Sequence, residues 1–279
     1  DPFFRAAMGI KQPISSARLR QRFDEDARAL IPLLDAASVE FMKNSQVPIS
    51  ALSTGHVPLD MDVFPMDNSN TQKEGVSYTY KGHDGYAPIA GYLGREGWCV
   101  TCELRPGSQH ANNEFLHVLD RVIPRVRALT DKPVLVRLDS AHDALENRKQ
   151  LRKHEVDYLI KWNPRKQEPF RWYEKADAVA TWLHPRPGKM EAIFSEVLDE
   201  EVYSRRVVKV TVRMSNRHGQ LFLEPQIEIE GWMTSLTPEV ADDKTIIKLY
   251  RDHATSEQFH SEFKTDLDLE RLPSGKFDT

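Results

Sequence analysis

Residues Lys244 to Asp266 read KTIIKLYRDHATSEQFHSEFKTD. The stretch holds neither Gly nor Pro and is rich in good helix formers, so it predicts one continuous helix. At about 100° per residue, Tyr250, His253, Glu257 and Lys264 fall within roughly 60° of one another. Leu249, Phe259, Phe263 and Leu267 fall on the adjoining face. An apolar stripe can therefore seat the helix while phenol, imidazole, carboxylate and ammonium face something else. The same periodicity also describes a solvated charged face beside an ordinary core stripe. The other acids of the chain bear on the choice.

Upstream, HVPLDMDVF (His56–Phe64) alternates Val57, Leu59, Met61 and Val63 against Asp60 and Asp62. It predicts a strand with both acids on one face. Two carboxylates so placed repel each other unless a cation or donor compensates. An edge strand with a solvent face is the other reading. PVLVRLD (Pro133–Asp139) is a continuous apolar run ending in an acid, as expected of a central strand covered on both sides. An acid at the C-terminal end of such a strand sits at the sheet rim, where α/β folds bind ligands. Asp139 could alternatively cap the helix expected from about residue 144 to 154, although Asp143 is better placed for that.

The remaining segments fit an α/β chain. ARLRQRFDEDARALIPLLDAASVEFMK reads as helical, capped by Ser15 or Ser16 and broken or restarted at Pro32. Its Arg18, Arg20 and Arg22 form a basic cluster, either a solvated face or part of a nucleic-acid-binding region. Residues 66–84 are polar and predict a loop or turn region. YAPIAGYLG and WCVTCELR predict a hairpin turned at Gly94–Gly97. Cys99 and Cys102, in a strand, should point to opposite faces, and no second pair exists to complete a zinc site. Asn112 or Asn113 could cap a helix from Glu114 to Leu129, with Phe115, Leu116, Leu119, Val122, Ile123 and Val126 packing inward. VDYLIKWNPRK predicts a strand leaving into a basic tail. Residues 167–232 are rich in branched and aromatic residues with turn signals between, hence β-rich.

Composition narrows the class. With 279 residues and 40% hydrophobic content, the chain suits one large domain or a domain with an insertion. A net charge of −4 does not advertise nucleic-acid binding, so any such binding rests on local basic patches. Two cysteines imply no disulfide framework and point to a reducing cytoplasm. No apolar run of about 18 residues suggests a membrane span. Asp1 in place of Met and a polar end suggest part of a longer protein.

The spacing Tyr250-x2-His253-x3-Glu257-x6-Lys264 resembles the Tyr-x2-Arg-x3-Glu-x6-Lys signature of DDE insertion-sequence transposases, in the branch whose first carboxylate stands in a Leu-Asp-x-Asp strand. His253 stands where that family has Arg, and Phe64 departs from its Asp-x-Thr/Ser run. LRPGSQH (Leu104–His110) is similar to another short family run before a helix. The resemblance implies an α/β fold: an RNase H-like mixed sheet flanked by helices, with a mostly-β insertion before the last helix. The corresponding division is residues 1–50 helical, 51–166 core, 167–235 insertion and 236–279 the Glu-bearing helix. The 118 residues between Asp139 and Glu257 leave room for that insertion.

The resemblance further implies a cut-and-paste DNA transposase, or a catalytically inactive DNA-binding derivative of one. Asp62, Asp139 and Glu257 would be the catalytic and metal-holding triad, with Asp60 the alternative first ligand. Hard oxygen donors suit two Mg²⁺ ions, for which Mn²⁺ can substitute. Tyr250, His253 and Lys264 would hold flanking phosphates. Lys161, Arg165 and Lys166 resemble a basic strand exit that contacts DNA. Trp172, Trp182 or Trp232 could stack an extruded base, Trp232 foremost. The expected partners are double-stranded DNA, as terminal inverted repeats and target, and a second copy in a homodimeric synaptic complex. A bacterial, nucleoid-associated setting without membrane contact follows from the same resemblance.

Overall fold

The computed structural model describes residues 15–216, 218–252, 256–272 and 274–277. The alternating stretch around the two acids is strand β1 (Val57–Val63), buried throughout except at Asp62, which is partly exposed. Burial on both faces excludes the edge-strand reading. On one side β1 pairs antiparallel with β5 (Ile89–Leu93), which returns as β6 (Trp98–Glu103) through Gly94 and Gly97, both at positive φ. On the other side β1 pairs parallel with β7 (Val134–Leu138), and β7 pairs parallel with β8 (Asp157–Lys161). Parallel pairing needs crossovers. Helix α3 (Phe115–Leu129) supplies the one into β7, and α4 (Leu145–Lys153) the one into β8.

Residues 66–84, expected as loop and turns, contribute to a small sheet of β2 (Met66–Asp67), β4 (Asp84–Tyr86) and β3 (Ser77–Tyr78), in that order. Beyond β8 come α5 (Pro169–Val179), β9 (Leu183–Arg186), β10 (Lys189–Leu198), β11 (Ser204–Ser215) and β12 (Leu221–Thr234). The periodicity of branched residues gave the strands but missed α5, which buries Trp172 and Ala176 at helical spacing. β12 pairs antiparallel with β8. The later strands thus continue the same nine-stranded sheet, in the order β6-β5-β1-β7-β8-β12-β11-β10-β9.

Helices cover both faces. Val57, Leu59, Met61 and Val63 point to a core shared with Phe115, Val118, Leu119, Val122, Ile123 and Val126 of α3. Val118 takes the inward place expected of Leu116, which is exposed. Against the opposite face, Leu135, Leu159 and Trp232 pack with Ile246, Ile247 and Leu249 of α6 (Asp243–Arg251).

Several local expectations need correction. The segment from Lys244 to Asp266 is not one α-helix. α6 ends at Arg251, α7 spans Ser256–Ser261, and Glu262–Asp266 form a π-helical turn. A π turn adds residues per turn, so Lys264 leaves the stripe that a constant 100° step assigned to it. Pro32 does not break its helix. α1 (Ser16–Glu25) and α2 (Ala27–Asn44) meet at Asp26, and Pro32 rides inside α2 at the cost of one backbone bond. Ser15 does cap α1, accepting from Arg18 N–H. Neither Asn112 nor Asn113 caps α3; Glu114 precedes it in the left-handed region with no side-chain cap. Asp143 does not cap α4 either, because its carboxylate accepts from Arg148 and from the backbone of Asn163. Cys99 and Cys102 share a face. The register skips at Val100, so they stand opposite Tyr92 and Ala90, two residues apart on β5.

Candidate active site

Strand register builds the site. Along the parallel β1–β7 pair, Asp60 stands opposite Arg137 and Met61 opposite Leu138. One step further, Asp62 stands beside Asp139. Neighbouring strands lie about 4.8 Å apart, so residues 77 positions apart in the chain become neighbours at the C-terminal rim. Side chains alternate, so Asp60, Asp62, Arg137 and Asp139 all project from the face that α6 covers.

The two acids of β1 have different surroundings. Asp60 is buried, and both its oxygens accept from Arg137, from Nε at 2.5 Å and Nη2 at 2.6 Å. Arg137 Nη1 donates to the Leu249 carbonyl at 2.6 Å, which ties the pair to the end of α6. This is a bidentate, fully desolvated ion pair that fixes helix to sheet. Asp62, one layer nearer the rim, accepts from the Val63 N–H at 2.7 Å and opens into a cleft of about 620 Å³ that Asp139 also lines.

The opposite wall of the cleft joins tyrosines that no sequence motif marked to the LRPGSQH run that one did. Tyr78, Tyr80 and Gly82 come from β3 and the turn after it; Gly107, Ser108, Gln109, His110 and Ala111 come from the loop before α3. The Tyr80 hydroxyl donates to the Val63 carbonyl at 3.4 Å. Burial of that hydroxyl, then the charges of Asp62 and Asp139, push the phenol up to about 12. The signal was present in the alternation Ser77-Tyr78-Thr79-Tyr80, within a segment whose polarity reads as loop. Arg105 pins the loop wall, donating to Glu103 and to the carbonyls of Ala111 and Asn113. Gly107 lets that wall close on the small sheet, since a Cβ there would lie 2.2 Å from the Ser77 carbonyl oxygen.

Asp139 follows β7 in extended conformation and caps a 3-10 turn, Ser140–His142. Its Oδ1 accepts from the Ala141 N–H at 3.2 Å and from His142 Nδ1 at 2.7 Å. The capping role and the rim position coexist on one side chain.

The C-terminal segment approaches the same sheet face. Burial, then the charges of Asp139, Asp62 and Asp60, push the Tyr250 phenol far above its usual range, with Arg137 opposing. In α7, the Phe259 and His260 rings lie 5.2 Å and 5.4 Å from that of Tyr92. Tyr92 pairs with Asp60 across β1–β5 and projects to the same face as the acids. The α7 backbone that carries Glu257 therefore packs on the face of both aspartates. The Glu257 side chain, and His253 altogether, lie outside the described residues. Lys264 reaches back to the Pro65 carbonyl just beyond β1, and lies 3.8 Å from Glu270.

Of the expected DNA contacts, Arg165 and Lys166 are exposed beyond β8. Lys161 is paired with Glu230 at 2.9 Å and lies over the Trp232 ring at 4.3 Å. Trp232 is 1% exposed, with Tyr250 against it at 6.3 Å. No face of Trp232 is open to a base, so the stacking expectation is corrected to a core role. Trp172 is buried too, with its ring against Arg206 and Trp162.

Adjacent aspartates at a strand rim are hard oxygen donors of the kind Mg²⁺ and Mn²⁺ prefer. Among the described residues no group of three or more His, Cys, Asp or Glu is gathered to hold a metal ion. Asp62 and Asp139 could supply two ligands, and a third would have to come from outside that set.

Comparison with known proteins places the chain. No curated protein matches it. Among solved structures, a piggyBac transposase synaptic complex with hairpin DNA, determined by cryo-EM, is similar at 7% identity and a TM-score of 0.39, covering 76% of this chain and 40% of that one. The chain thus spans less than half the length of that neighbour. The model of the family described as transposase DDE domain, group 1, matches residues 1–279. The chain belongs to that family of transposase DDE domains.

Proposed function

We propose that this cleft is the active centre of a DNA transposase that cuts transposon ends and joins them to target DNA, with Asp62, Asp139 and Glu257 as the catalytic triad. One observation carries the reading: two acids far apart in sequence stand side by side at the ends of adjacent parallel strands and line one cleft. The order β6-β5-β1-β7-β8, antiparallel in its first three strands and parallel in its last three, supports an RNase H-like core. The later strands then form the insertion before the Glu-bearing helix.

Phosphodiester cleavage needs an activated water or 3′-OH and relief of charge on the leaving oxygen. Two Mg²⁺ ions, when bound, supply both. The residues of this chain have separate tasks. Asp62 and Asp139 present carboxylate oxygens at the rim, and Glu257 completes the set. Asp60 takes no part as a ligand, because both its oxygens already accept from Arg137. Tyr80 and Tyr250 stay protonated phenols, and each hydroxyl would turn from its present partner to donate to a phosphate oxygen. Arg165, Lys166 and Lys264 give the flanking duplex its cationic contacts, and His253 a hydrogen-bonding one. Terminal repeats, target DNA and a second protomer complete the synaptic assembly.

A plasmid carrying the element's own ends tests the reading. With Mg²⁺ or Mn²⁺ the protein should nick at those ends. Asp62→Asn, Asp139→Asn and Glu257→Gln should each abolish nicking while leaving gel-shift binding of the end duplex intact. End binding without nicking by the unaltered protein would identify an inactive DNA-binding derivative instead.

A further inference from the structure

His142 is clamped onto the Asp139 carboxylate from inside the protein. Its Nδ1 lies 2.7 Å from Asp139 Oδ1, and a carboxylate can only accept, so Nδ1 carries the proton. The imidazole is 0% exposed, whereas the Asp139 side chain is 43% exposed. The clamp is therefore rigid and its target faces the cleft. One contact holds the ring and a short chain of side-chain amides holds its backbone. Its ring packs on Phe115 at 4.2 Å between centroids. Its backbone carbonyl accepts from Asn147 Nδ2 at 2.8 Å. Asn147 in turn donates to Asn112 at 2.6 Å. His142 Nε2 is buried with no hydrogen-bond partner among the described residues. The ring thus commits its N–H to Asp139, and an unsatisfied buried nitrogen is tolerated to place that bond.

We propose that His142 is a positioning residue for the metal-holding carboxylate: it fixes the plane of Asp139 and occupies Oδ1, so that Asp139 meets a divalent cation in one preset orientation. The inference rests on the triad reading above. Histidines hydrogen-bonded to ligand carboxylates tune metal sites in this way, and loss of such a partner costs about 10–100-fold in affinity.

Mn²⁺ binding to the full chain, read by electron paramagnetic resonance and by calorimetry, tests it without relying on activity. His142→Phe keeps a ring against Phe115 and removes the donor; its Mn²⁺ dissociation constant should rise about 10–100-fold. His142→Asn restores an N–H near the Nδ1 position and should recover most of that loss. Asp139→Asn serves as the reference. If Asp139→Asn leaves Mn²⁺ binding unchanged, the metal-site reading itself fails. If Asp139→Asn removes the site and His142→Phe binds as the parent does, the positioning role is overturned while the metal site stands. Should His142→Phe not fold, ¹⁵N shifts of the His142 ring in the unaltered protein decide. A proton on Nδ1 supports the proposal, and a proton on Nε2 with none on Nδ1 overturns it.

Discussion

Replacing Asp60 with asparagine separates the frame of the site from its chemistry. Asp60 and Arg137 are each 2% exposed, and the guanidinium makes two bonds to the carboxylate and one to the Leu249 carbonyl. The substituted amide could accept only through its carbonyl, and its NH₂ would face the Arg137 donors. Arg137 would be left as a buried charge without its counterion, and breaking such a pair costs about 3–5 kcal/mol. Asp62 lies outside this ion pair, and removing its charge relieves repulsion with Asp139. Asp62→Asn should therefore change stability by less than about 1 kcal/mol. Urea denaturation followed by circular dichroism measures both, with the midpoint expected to fall for Asp60→Asn at an unchanged slope. A paired replacement, Asp60→Leu with Arg137→Leu, should recover most of the loss, because an apolar pair avoids both desolvation penalties. If Asp60→Asn is as stable as the parent but fails to nick DNA, Asp60 belongs to the chemistry and the division between the two acids is wrong.

Two other consequences are open to measurement. Tyr158 is fully buried, and that burial pushes its phenol up to about 12, with its hydroxyl 3.1 Å from the Tyr203 carbonyl and 2.8 Å from Ser204 Oγ. The folded state then holds a proton that the unfolded chain releases near pH 10, so this stability is complete below pH 10 and is lost as pH rises toward 12, by roughly 1 kcal/mol per pH unit. Tyr158→Phe should lose less stability than the parent between pH 10 and pH 12 in urea titrations, and parallel losses would contradict the assignment. Gly97 has φ 78°, and a Cβ there would fall 2.2 Å from the Phe259 ring of α7. Gly97→Ala should cost about 1–3 kcal/mol and lower DNA nicking by displacing the helix that carries Glu257; full nicking activity would show that α7 does not need that seat.

Part of the site was legible because local pattern was enough. The apolar run of PVLVRLD forces a central strand, and its terminal acid must then stand at a rim. Alternation placed Asp60 and Asp62 on one face but could not tell them apart. The distinction depends on which residue of β7 lies opposite, and Arg137 is 77 positions away from Asp60. The wall of Tyr78 and Tyr80 was hidden for the same reason: SYTYKGHDG is polar enough for a loop, and only pairing with β4 makes it part of a sheet. The same-face thiols of Cys99 and Cys102 turn on one skipped residue, which no period reveals. The continuous helix failed at a π turn, where the assumed 100° step no longer holds. His142 carried a readable hint in its Asp-x-x-His spacing, but only the 3-10 turn brings its ring nitrogen onto the carboxylate.

A divalent cation seated between Asp62 and Asp139 is the central requirement of the proposed chemistry. Anomalous diffraction from crystals soaked in Mn²⁺ locates such an ion directly. The expected result is a peak bridging the two carboxylates, with the Glu257 side chain completing its ligands. Manganese bound only elsewhere, with those two carboxylates bare, would contradict it.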